Sequence, residues 1–163
     1  MTSYDEVAVY LKNLGMDTNL STFAERVRVQ KMVYMLKQFG ADLGFGFTWY
    51  LRGPYSPSLT KTLFNPTVED PQPLRQLNTN ELKVANEMRN FLGSDFYSAE
   101  RMELMASLVY LIKHGPENDL QTKAKIIRFL REEKPQYSLE EIEQVWQRIS
   151  AAGIWDSELS RLR

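Results

Sequence analysis

Two segments of this chain are too apolar to lie on a surface, and they constrain the fold more than anything else in it. In "TFAERVRVQKMVYMLKQFG", Thr22 and Glu25 have the spacing of a capping box that opens a helix running to about Gly40. Along that helix Val29, Met32, Val33, Leu36 and Phe39 form one apolar stripe, while Phe23, Val27 and Tyr34 fall on a different side. A helix that is apolar on two sides is packed between neighbours, which places it at the centre of the fold. The second segment, "LMASLVYLI" within "SAERMELMASLVYLIKHG", is apolar all round and reads as a second core helix.

The rest of the chain supplies helices to wrap this pair. "SYDEVAVYLKNLG" places Val7, Tyr10, Leu11 and Leu14 on one face and ends at Gly15. "TNELKVANEMRNFLG" puts Leu82, Ala85, Met88 and Leu92 together, and "DLQTKAKIIRFLREEK" does the same for Leu120, Ala124, Ile127 and Leu130 before Pro135. Ser138 and Glu141 form a capping box for a last helix bearing Ile142, Val145, Trp146 and Ile149. The short aromatic run "FGFTWYLRG" reads as a strand or hairpin arm near residues 45–52, with Gly44 and Gly46 able to turn the chain before it. "NPTVEDPQPLRQLN" reads as a loop, long enough for its setting to be functional or mobile. The expectation is mainly α: one compact domain over 1–163, of about six to seven helices with a small β-hairpin or short strand.

Several function classes drop out on composition. The formal net charge is −1, against the broad neutralisation of phosphates that nucleic-acid binding relies on, although a local basic patch is compatible with it. There is no cysteine and only one histidine, His114, which removes thiol chemistry and multi-histidine metal sites. No phosphate-cradling glycine loop, metal-ligand spacing or nucleophile elbow is present, so no cofactor and no catalytic set are expected. No apolar run is long enough to span a membrane, and the first residues carry acids where a signal peptide is basic and then apolar, so a cytoplasmic protein with no membrane partner is expected.

The chemistry-bearing residues that remain have ordinary readings. His114, before Gly115 and Pro116, suits the end of a helix, where it hydrogen-bonds the last carbonyls. Glu132, Glu133, Glu140, Glu141 and Glu143 cluster around Pro135, but three of them fall in the first turn of a helix, where the dipole favours negative charge. A hydrolase built on these carboxylates is therefore a remote third reading. Arg26, Arg28 and Lys31 on the long helix, and Lys123, Lys125, Arg128 and Arg131 later, are solvated faces or contacts for phosphates.

"YLRGPYSPSL" differs from its surroundings. A residue before proline is pushed out of the helical region, which suits Gly53 to a turn and Ser56 to a helix N-cap. Pro57 suits the first helical position, so the stretch reads as strand, tight turn and capped helix, with "PSLTKTLF" following. Backbone demands explain Gly53, Pro54, Ser56 and Pro57, and leave Arg52 and Tyr55 without a structural role. A helix N-terminus beside an arginine is suited to a carboxylate or phosphate.

"RVRVQKMVYMLKQFG" followed by "FTWYLRGPYSPSL" resembles the Panacea domain, the family of SocA-like antitoxins and phage-associated proteins. The residues carrying the resemblance are Gln30, Lys31, Met32, Val33 and Tyr34, then Arg52, Gly53, Pro54, Tyr55, Ser56 and Pro57. Arg52 stands where an aromatic is more usual in the family. "MELMASLVYLI" and "KPQYSLEEIEQVW" resemble its C-terminal half, so the likeness spans most of the chain. The resemblance implies a helical, non-enzymatic module that neutralises a toxin by binding it, in some relatives by delivering the toxin to a protease. The partner is then a protein, met by Tyr50, Arg52, Gly53, Pro54, Tyr55, Ser56 and Pro57. Tyr50, Arg52 and Tyr55 are the first anchors, because tyrosine and arginine dominate interface energetics, and Trp49 alternates to the inward side. The alternative is a DNA-binding regulator of winged-helix type, with the hairpin as wing and a basic helix in the groove. The sequence leaves open the oligomeric state, and whether Lys31 and Tyr34 are core or surface.

Overall fold

The computed structural model describes residues 3–16, 21–64 and 74–162. Among them, eight α-helices and one two-stranded hairpin follow in the order α1 (Ser3–Asn13), α2 (Phe23–Gln38), β1 (Thr48–Tyr50), β2 (Gly53–Tyr55), α3 (Pro57–Phe64), α4 (Thr79–Leu92), α5 (Ala99–His114), α6 (Lys123–Glu133), α7 (Leu139–Ala152) and α8 (Asp156–Ser160). Short 3-10 turns, Gly93–Tyr97 and Gly115–Asn118, lead into and out of α5. The chain is mainly α with a small hairpin. The five-residue α8 is the element that periodicity does not announce, since it is too short to show any. The long Pro-rich loop expected from residue 65 onward lies outside the described residues as far as 73.

Local chemistry starts most of these helices. Thr22 with Glu25, Asn78 with Glu81 and Ser138 with Glu141 close reciprocal capping boxes at the heads of α2, α4 and α7. Ser98 and Thr122 cap α5 and α6 by accepting from the amide three residues on. The core then fixes where the helices lie. Every residue from Val29 to Leu36 in α2 is buried, and so is every residue from Met102 to Val109 in α5. These two helices form the most extensive helix–helix contact in the molecule. Each fully buried Leu or Met is worth about 1.5–3 kcal/mol, so this pair outweighs the caps around it.

Four details depart from the sequence reading. Leu82 is exposed and Val84 takes its place against the core, because it lies closer in helical angle to Met88. On α6, Ala124 is exposed and Ile126 joins Ile127 and Leu130 in the core. Lys31 is no part of a basic face: it is 1% exposed. "GPY" is not only a turn; it is the second strand, pairing Thr48 with Tyr55, Trp49 with Pro54 and Tyr50 with Gly53. Proline is tolerated there because the sheet has only two strands and its missing donor faces no partner.

Candidate functional site

The hairpin sits on α2 and α5, and α2 grips it through two adjacent side chains. The Gln30 amide reads the Ser56 backbone in both directions: its Nε2 donates to the Ser56 carbonyl at 3.0 Å, and its Oε1 accepts from the Ser56 amide at 3.0 Å. The same Nε2 donates to Thr60 Oγ1 at 2.8 Å, and Thr60 in turn donates to the Tyr55 hydroxyl at 2.9 Å. Ser56 Oγ accepts from the Leu59 amide at 3.2 Å and so caps α3. The Lys31 Nζ donates to the Pro54 carbonyl at 2.6 Å. Gln30 and Lys31 therefore hold the two carbonyls that frame "PYS", which ties two distant sequence motifs into one structural unit.

Gly53 is required at the corner twice over. Its φ is +86°, and neither Leu51 nor Arg52 has a positive φ, so the glycine carries the reversal of the chain. A Cβ at this position would lie 2.3 Å from Ser107 Oγ on α5. The hairpin backbone thus approaches α5 as closely as a glycine allows.

Behind the corner lies a cluster of buried charge. Glu103, from the second turn of α5, accepts from the Tyr137 hydroxyl at 3.0 Å and pairs with Lys134 Nζ at 3.5 Å. Lys134 Nζ also donates to the Leu51 carbonyl at 3.0 Å, so the turn is held by a lysine on each side. Arg52 reaches Glu103 only at 3.9 Å. Burial pushes the Lys31 ammonium down to about 7, with Glu103 opposing the shift. Burial also lowers Lys134, again opposed by Glu103, and raises the Tyr137 phenol, where Glu103 adds to the effect. Tyr34 is core: burial raises its phenol, and its ring meets Phe47 edge-on at 5.2 Å.

In front of the corner opens a pocket of about 460 Å³ between α2, the hairpin and α3. Eight large hydrophobic residues are exposed among the described ones, and four of them, Phe23, Tyr50, Leu51 and Phe64, line this one pocket. Arg26, Lys31 and Arg52 line it too, and among the described residues no carboxylate does. Tyr50, 60% exposed, lies 5.5 Å from the half-buried Tyr55 ring, and Trp49 turns inward against Tyr110 and Phe129. Of the seven residues singled out in this stretch, Tyr50, Arg52, Tyr55 and Pro57 reach the surface, whereas Gly53, Pro54 and Ser56 are buried and support them.

The remaining candidates disperse. Arg28 donates to the Phe96 carbonyl at 2.6 Å and stacks on the Phe96 ring. Lys123 pairs with Glu143 and Arg128 with Glu132, so these α6 cations are matched by acids. Glu141 serves the α7 capping box and reaches Arg101, and no group of acids capable of holding a metal ion forms among the described residues. The His114 ring packs 4.6 Å from Tyr110 rather than capping its helix, and burial lowers its pKa. Glu103, Ser107, Lys134 and Tyr137 were invisible as a group in the sequence. The one available signal was Glu103 at the edge of the apolar run "LMASLVYLI", since a buried acid needs a buried partner. No family model matches this chain, and no curated protein or solved structure is significantly similar to it.

Proposed function

We propose that this chain is a protein-binding module of antitoxin type, which neutralises a toxic protein by covering it with the hairpin corner. The observation that carries the reading is the convergence of Phe23, Tyr50, Leu51 and Phe64 with Arg26 and Arg52 on one pocket. Exposed hydrophobic residues scattered singly are ordinary, but a contiguous patch with aromatic and arginine anchors is the composition of an interface hot spot. The antitoxin part rests on the resemblance carried by Gln30, Lys31, Tyr34 and "RGPYSP". The two halves of that motif hold one another through Gln30 and Lys31, which favours a shared scaffold for the corner.

Co-expression with each small open reading frame adjacent to its own tests this directly. One of those products is expected to arrest growth alone, to be tolerated in the presence of this protein, and to co-purify with it. Tyr50→Ala and Arg52→Ala are expected to weaken both rescue and co-purification. Absence of toxicity and of any complex across the set would reject the reading.

A further inference from the structure

Lys31 is almost fully enclosed, yet it forms no ion pair among the described residues. Its Nζ donates to the Pro54 carbonyl at 2.6 Å, a neutral acceptor. The acid that acts on it, Glu103 on α5, is already taken up by Lys134 Nζ at 3.5 Å and by the Tyr137 hydroxyl at 3.0 Å. Enclosing an ammonium with no carboxylate against it is costly, so the group gives up its proton instead. Burial accordingly pushes it down to about 7; Glu103 opposes the shift, and the cations Lys134 beyond α6 and Arg52 in the turn add to it. The phenols of Tyr34 and Tyr137 are raised by burial and stay neutral. At pH 7 an exposed lysine has about one neutral amine in a few thousand, whereas Lys31 has about half.

The same residue lines the pocket in front of the corner. Phe23, Val27, Leu51, Leu63 and Phe64 give that pocket apolar walls, and its volume of about 460 Å³ is in the range that takes a small organic ligand. A desolvated amine beside other cations, in an apolar pocket, is the arrangement that makes lysine a nucleophile toward a carbonyl carbon. We infer that this pocket is a site of carbonyl capture, in which Lys31 Nζ forms an imine with an aldehyde whose apolar chain fills the pocket. The Nζ lone pair attacks the carbonyl carbon. Both N–H protons of the amine pass to the oxygen, which leaves as water, and a C=N bond replaces C=O. A proton taken up from solvent gives the iminium one N–H, enough to keep the Pro54 carbonyl bonded. Capture is independent of which protein the corner meets and of the charge at the pocket's rim, because enclosure of the amine is what frees its lone pair.

The test incubates the full chain at about pH 7 with hexanal and cyanoborohydride, which reduces C=N to a stable secondary amine, and scores each lysine by peptide mass spectrometry. Lys31 is expected to be labelled at least about tenfold faster than the exposed Lys83 and Lys125 in the same sample. 1-Hexanol, which enters the pocket without reacting, is expected to slow Lys31 and to leave Lys83 and Lys125 unchanged. Raising the pH to about 9 should narrow the ratio, because the exposed amines gain lone pairs while Lys31 has few left to gain. Label spread evenly over the lysines, an unlabelled Lys31, a ratio that does not narrow, or hexanol without a selective effect would each overturn the inference. All of these leave the protein-binding reading in place, since co-expression tests that separately.

Discussion

Gly53 is the residue whose replacement most directly tests this architecture. Gly53→Ala forces a β-carbon into a left-handed conformation and against Ser107 Oγ, and is expected to destabilise the protein by about 2–4 kcal/mol in urea unfolding. Ser107 Oγ is buried without a hydrogen-bond partner among the described residues, so Ser107→Ala alone is expected to cost little. Combined with Gly53→Ala it removes the colliding atom and should recover part of the loss; strict additivity would disprove the contact. Lys31 makes a prediction in pH. Its ammonium deprotonates more readily in the fold than in the unfolded chain, so between about pH 7 and the ordinary lysine range the unfolded chain holds more protons. Stability then rises with pH through that window and is lost as pH falls from 10.5 to about 7. Urea titrations at about pH 7.5 and 9.5 should show a larger gain for the wild type than for Lys31→Met. Parallel profiles would mean that Lys31 titrates normally.

At the scale of elements, the hairpin is too short to stand alone. Two strands of three residues are not stable in water without packing, and here the packing is against α2 and α5. Gln30 fastens the hairpin's exit and the start of α3 to α2 with one side chain. Gln30→Leu keeps the volume but leaves the Ser56 amide buried without an acceptor, at a cost of about 2 kcal/mol. Hydrogen exchange should show the loss concentrated at Ser56 and the first amides of α3, and a uniform loss over all helices would argue against a local hook. The capping boxes of α2 and α7 were legible because capping is a contact over three residues. Leu82 on α4 and Ala124 on α6 stay exposed, because a stripe of apolar residues takes in positions at its edge that the neighbouring elements do not reach.

Over the whole molecule, the corner separates into a buried support and an exposed face. Phe23→Ala and Tyr50→Ala are expected to leave unfolding free energies within about 0.5 kcal/mol of wild type while weakening complex formation with the partner. A large loss of stability would show instead that these rings serve the fold. The same division marks how far the sequence reaches. It determined the mainly helical class, the two central helices, the capping boxes of α2 and α7 and the aromatic element at its place in the chain. All of these follow from periodicity or from contacts a few residues apart. The tertiary structure alone decided that Lys31 and Tyr34 are core and that "GPY" is a strand. It also decided that Gln30 and Lys31 meet Ser56 and Pro54, and that Glu103, Lys134 and Tyr137 stand behind the turn. Those contacts join residues between 23 and 83 positions apart. A charged side chain in a helix is read as solvated until a neighbour that local sequence does not specify buries it and supplies its partner.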